Sequence, residues 1–260
     1  EEFGVPKYLD RFSKMQLSLF KIMGKPLADS LIPLVKKLVR KETAKVILPG
    51  EENRLNKHIE RRRKEGITTN LNHLGEAIQG EGEAAKKLAC YLADLENPFI
   101  EYISIKISTI YSQINMLDWE QTLEVLKSRL RLLYRAAIKH AFIDSNGHEK
   151  CKFVNLDMEE YRDLHLTLEL FKTILDEEEF LNYKAGIVLQ AYLPDSYGIL
   201  QELTSWSRER VSRGGAPIKV RIVKGANLAL EQVEASHRDW QQAPFLTKIE
   251  VDSNYKKMLL

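Results

Sequence analysis

From Gly66 onward, short aliphatic runs alternate with stretches of helical period, and this alternation confines the chain to α/β architectures. Strands are expected near residues 67–71, 102–108, 153–157, 186–192 and 218–224. Helices are expected near 80–95, 119–142, 158–176 and 195–212. Strands of 4–8 residues joined by helices of ten or more form parallel βαβ units. No GxGxxG follows the first strand, so units repeated in this way favour a (β/α)8 TIM-type barrel over a dinucleotide-binding sheet. A closed barrel typically takes ~250 residues by itself. The expectation is therefore a partial barrel over 51–260, ending after its fifth strand and preceded by a helical arm over 1–50.

In that arm Phe12, Met15, Leu19 and Ile22 recur at helical spacing. Leu27, Leu31, Leu34, Val35 and Leu38 do the same after a break at Gly24-Lys25-Pro26. Two amphipathic helices are expected, their stripes covered by the following domain, or else by a membrane or a partner. Pro49-Gly50 punctuates the chain, and a charged helix follows over 51–64.

Composition narrows the functional classes. At 44% apolar and 29% charged residues, the 260-residue chain has the make-up of a globular protein. Its 39 basic and 37 acidic residues nearly cancel, which gives no argument for nucleic acid. The basic run Arg61–Lys64 reads as a solvated helix face. Cys90 and Cys151 make no disulfide framework, CxxC or Cys/His cluster in the sequence, and none of the six histidines are spaced i, i+4, so no metal is expected. Two cysteines fit a reducing, cytoplasmic setting. No apolar run reaches the ~18 residues of a spanning helix. The Glu1-Glu2 start, without methionine or a signal-like segment, suggests a piece of something longer.

Barrel enzymes place their chemistry at the carboxyl ends of the strands. Here those ends carry Asn70 and Asn72, then Lys106, Asp157, Gln190, and Arg221 with Lys224. Lys106, flanked by isoleucines, either binds an anionic group or pairs with Asp157. Asp157 is alternatively the N-cap of a helix starting at Met158. Gln190 offers a neutral donor and acceptor for the edge of a polar heterocycle, or is a satisfied core residue. Arg221 and Lys224 point to opposite faces unless the chain turns between them, which Gly225 allows; together they could then hold a negatively charged cofactor.

The segments LGEA (74–77), SIKIS (104–108), VNLDMEEY (154–161), VLQAY (188–192) and VRIVKGAN (220–227) are, in order and spacing, similar to the proline dehydrogenase domain of bacterial proline utilisation A proteins. The resemblance covers residues 55–260. It implies a distorted barrel that binds FAD and oxidises L-proline to pyrroline-5-carboxylate, handing electrons to a membrane quinone. It also implies a covalently linked aldehyde dehydrogenase domain and a cytoplasmic protein, peripheral on the inner membrane. Lys106 then matches a lysine for the proline carboxylate, Asp157 an acidic support of the pocket, and Arg221 an arginine near the reactive flavin nitrogen. Gln190 matches a flavin-edge contact, and Val223, Lys224, Gly225, Ala226 and Asn227 the cofactor-lining loop. Glu76 matches one half of a gating ion pair. Asn227 stands where many members have an aromatic residue. The family's paired carboxylate-binding arginines belong to a last helix not found in these residues, and a lone Lys106 lacks their bidentate grip. The alternatives are another flavin barrel oxidoreductase, or an inactive piece that only folds or binds a partner.

Overall fold

A computed structural model of the chain describes residues 10, 11, 14, 15, 18, 28–43, 46–48, 50–73, 78–144, 147–158 and 160–260. Two compact units divide it, Glu1–Lys57 and His58–Leu260. In the first unit, helix α1 (Ala28–Thr43) is the second of the two expected arm helices. Its Ile32, Val35, Leu38 and Val39 are exposed, as is Met15. Phe12, Leu19, Ile22, Leu27, the 24–26 break and the side chains of Leu31 and Leu34 lie outside the described residues. Helix α2 (Glu52–Lys64) leads into the second unit.

That unit is α/β, built on a five-stranded parallel sheet: β1 (Asn70–Asn72), β2 (Tyr102–Ile105), β5 (Phe153–Leu156), β6 (Gly186–Gln190) and β7 (Lys219–Val223). Each strand pairs with the next in chain order. The intervening helices are α3 (Glu81–Glu96), α5 (Trp119–Lys139), α6 (Leu164–Leu175) and α7 (Ser196–Ser212). The strand order runs one way across the sheet, and the right-handed rule for such crossovers places all four helices on the same face. The winding is single, as sequential βαβ units require.

The sheet has two unlike faces because side chains alternate along a strand. Ile103, Ile105, Val154, Leu156, Ile187 and Leu189 point to one face and are fully buried. Each such side chain contributes roughly 1.5–3 kcal/mol on burial. Leu126, Leu130 and Leu133 of α5 and Phe171 and Ile174 of α6 are buried with them. The register brings the alternate residues Asn72, Ser104, Asn155 and Gly186 side by side on the other face. Gly186 is required there: a Cβ would fall 2.5 Å from Asn155 Oδ1 and 2.9 Å from the Phe153 ring.

Several boundaries differ from expectation. Strand β2 stops at Ile105, because after the extended Lys106 the backbone turns into the single helical turn α4 (Ile107–Ile110). Helix α5 ends at Lys139. That is three residues short of the expected 142, and β3 (Phe142–Ile143) and β4 (Glu149–Lys150) form an antiparallel hairpin that the sequence reading did not include. The reason lies in Asp144-Ser145-Asn146-Gly147, whose composition favours a turn. Helix α6 begins at Leu164 after a 3-10 turn (Tyr161–Asp163), so Asp157 is no N-cap. After β7 come α8 (Leu228–His237) and α9 (Lys248–Leu259). Helix α9 opens with a capping box: Thr247 Oγ1 accepts from the Glu250 N–H, and Glu250 Oε2 accepts from the Thr247 N–H.

Candidate active site

The polar face of the sheet becomes a connected network toward the carboxyl ends. Asn70 Nδ2 donates to Ser104 Oγ at 2.9 Å. Asp157, only 9% exposed, accepts from Asn72 Nδ2 at 2.9 Å, Asn155 Nδ2 at 2.8 Å and Arg221 at 2.5 Å. Its backbone N–H continues the ladder to the Ile105 carbonyl at 2.7 Å. Thus one carboxylate at the end of β5 gathers donors from β1, β5 and β7. Burial pushes the Asp157 carboxyl up, while Arg221, Ser104, Asn155 and Lys106 pull it back. Desolvation outweighs that support, as expected for a carboxylate taken out of water.

Arg221 is the cation of this network, with its side chain 37% exposed. One guanidinium nitrogen holds Asp157, but the buried Nε meets no hydrogen-bond partner among the described residues. A fixed arginine with spare donor capacity at the edge of solvent can accept further anionic or electron-rich groups. Lys106 is half-buried at the end of β2 with its backbone extended, and its carbonyl accepts from Thr109. Its charge reaches Asp157, but Arg221 makes the direct ion pair that the sequence offered to Lys106.

Gln190 closes β6 opposite Val223, 2% exposed, and its Nε2 donates to the Met158 carbonyl at 3.3 Å. Past the strand, Ala191 N–H donates to Val223 O and Tyr192 N–H to Lys224 O, so the pairing runs on into the loop. The expected turn at Gly225 is present, with φ of 115°, and a Cβ there would fall 2.4 Å from the Tyr192 ring. This turn does not bring the two cations together. Arg221 faces β5, whereas Lys224 pairs with Asp252 of α9 at 2.5 Å. Ala226 follows, and the Asn227 carbonyl accepts the Glu231 N–H at 3.0 Å as α8 begins. Asn254 of α9 fastens the loop after β6, donating to the carbonyls of Ala191 and Leu193. Glu76 lies outside the described residues.

Ser104, Asn155 and Asn254 were missed as site residues by sequence reasoning. The first two were accessible to it: each stands two residues before a singled-out strand-end residue, Lys106 and Asp157, and so shares its face. Asn254 carried no local signal. His73 comes against Cys90 and Asp94, a grouping that sequence spacing alone did not reveal.

A cavity of about 680 Å³ opens at the opposite, amino-terminal ends of the strands, lined in part by Tyr102, Phe153, Lys184 and Lys219. Lys219 already lies over the rings of Tyr102 and Phe153, at 5.4 and 5.6 Å. Neither the Asp157 network nor the strand-end residues Asn70, Asn72, Lys106, Gln190, Arg221 and Lys224 line it. The chemically organised end is the carboxyl one.

The sequence profile of the family described as proline dehydrogenase matches residues 55–260. A proline dehydrogenase of Deinococcus radiodurans is 28% identical over 204 residues, which are 75% of this chain and 53% of that protein. The bifunctional protein PutA of Salmonella typhimurium is 28% identical over 193 residues, 71% of this chain and 13% of that protein. Among solved structures, proline utilization A (PutA) from Corynebacterium freiburgense superposes with a TM-score of 0.76 at 40% identity, covering 98% of this chain and 25% of that one. The chain therefore spans about half the length of the first of these curated relatives and a far smaller share of the bifunctional one.

Proposed function

The chain belongs to the proline dehydrogenase family, and from that premise we propose that it contributes the FAD-binding wall of a site that oxidises L-proline to pyrroline-5-carboxylate. The observation that carries the proposal is the polar row on one face of an otherwise apolar sheet, converging on Asp157 and Arg221 at the strand ends. On this reading the sheet is part of the wall of a TIM-type barrel, and the polar row lines its interior.

The residues present suit a flavin. Arg221 keeps a buried donor that meets no partner among the described residues and is reachable from solvent, so it can lie against an electron-rich ring edge. FAD, when bound, would supply the acceptor for the hydride leaving the proline ring carbon beside nitrogen, with the electrons passed on to a membrane quinone. Gln190 would meet the polar edge of the cofactor, and Val223, Lys224, Gly225, Ala226 and Asn227 would line its bed. Asp157 holds the Arg221 guanidinium in place through a charge-assisted bond. Lys106 would attract the proline carboxylate, and Glu76 would serve as the carboxylate of a gate. A covalently linked aldehyde dehydrogenase and a cytoplasmic location, peripheral on the inner membrane, complete the proposal. Among the described residues, no helix is long and apolar enough to cross a membrane.

The reading is tested by loading the full-length protein with FAD and following reduction of the flavin absorbance by proline under anaerobic conditions. Arg221→Met should slow that reduction, and Lys106→Ala should chiefly raise the proline concentration required. Unchanged kinetics in both variants would overturn the residue roles.

A further inference from the structure

We propose that His73, Cys90 and Asp94 form a binding site for a divalent transition-metal ion, with zinc the best-matched ion. The donors come from two elements. His73 follows β1 directly, and Cys90 and Asp94 are four residues apart on α3, hence on one face of that helix. One donor atom from each lies within 4.8 Å of the other two. His73 Nε2 stands 2.5 Å from Asp94 Oδ2, and Cys90 Sγ 3.8 Å from the same nitrogen.

Thiolate, imidazole and carboxylate are the three ligand types zinc accepts, and the bond lengths of a tetrahedral site put such donors roughly 3.4–3.6 Å apart. The thiol is therefore already near its place, and the imidazole and carboxylate need only part by about 1 Å to admit the ion. A thiolate and a carboxylate balance its double charge, and the thiol proton leaves to solvent on binding. Three protein ligands leave a fourth position for water. The imidazole is also held by packing: it meets the Tyr91 ring edge-on at 5.4 Å and 74°. His73 and Asp94 are partly shielded, with side-chain exposures of 27% and 16%, and Cys90 is exposed, so an ion has both access and low-dielectric support. Such an ion would tie the exit of β1 to α3, three residues ahead of Glu76 in the sequence. This inference is independent of the flavin reading.

Cobalt(II) and zinc(II) titrated into the reduced chain test it. One equivalent of cobalt should produce the ultraviolet thiolate-to-cobalt band, zinc should displace it, Cys151→Ser should keep it and Cys90→Ser should lose it. His73→Gln and Asp94→Asn should weaken binding by more than the roughly 10–100-fold that loss of a merely supporting partner costs. A measurement without variants runs alongside: zinc should protect Cys90, and not Cys151, from alkylation mapped by mass spectrometry. A missing thiolate band at saturating cobalt, a band that follows Cys151, unchanged affinity in His73→Gln, or equal alkylation of Cys90 with and without zinc would overturn the proposal.

Discussion

At the scale of the residue, close contacts decide what each position tolerates. Gly186 lets Asn155 and Phe153 come within reach of β6, and both would collide with a methyl group. Gly186→Ala should therefore destabilise the fold by about 1–3 kcal/mol, as overpacking does. Gly198, inside α7 with nothing near its would-be Cβ, should show the opposite sign: Gly198→Ala should gain up to about 1 kcal/mol. Urea unfolding of both variants measures the contrast. Lys152 gives a pH prediction. It is 1% exposed, its Nζ donates to the Asn97 carbonyl, and burial pushes its ammonium down from 10.5 to about 8. Below pH 8 the lysine is charged folded or unfolded, and the fold bears the cost of burying it. Between about 8 and 10.5 the folded chain has released a proton that the unfolded chain keeps, so unfolding takes up a proton and stability rises with pH. Relative to Lys152→Met, the native protein should gain about 3 kcal/mol over that window. A flat difference between the two in alkaline denaturation curves would contradict it. Lys106, Asp157, Gln190 and Arg221 were legible as strand-end polar residues because aliphatic neighbours frame them. Which cation pairs with Asp157 was not legible, since it depends on β7 lying two strands away from β5.

At the scale of the element, the alternation of strand and helix was readable and the joints were not. Helices α3, α5 and α7 begin within a residue or so of expectation, because period and composition mark them over many residues. The strands came out short at their ends. Local sequence cannot say where pairing stops, which is set by a turn such as that after Lys106 or by the next strand's register. The joint between α7 and β7 illustrates what such connections rest on. Arg210, fully buried, donates to the carbonyls of Leu175, Phe180, Leu181, Tyr183 and Ala216, taking up the ends of α6 and the loop before β6. Only a planar fork with five donors can serve so many acceptors; an ammonium has three. Arg210→Lys should cost about 2–4 kcal/mol by leaving buried carbonyls unsatisfied. A loss below about 0.5 kcal/mol in denaturant unfolding would show that the carbonyls find other donors.

At the scale of the whole molecule, parallel single winding yields one face packed under helices and one face free to carry polar chemistry. That division was implicit in the strand sequences, where aliphatic residues alternate with Asn, Ser, Asp, Gln and Arg. The convergence of those polar residues on one carboxylate, and the binding of α9 to the loop after β6, belong to tertiary structure alone. The central claim is that this face, with FAD on it, draws electrons from L-proline. Anaerobic addition of L-proline to the FAD-loaded full-length protein tests it most directly. The oxidised-flavin absorbance should be lost with L-proline and retained with D-proline. A flavin that stays bound and oxidised at saturating L-proline would contradict it.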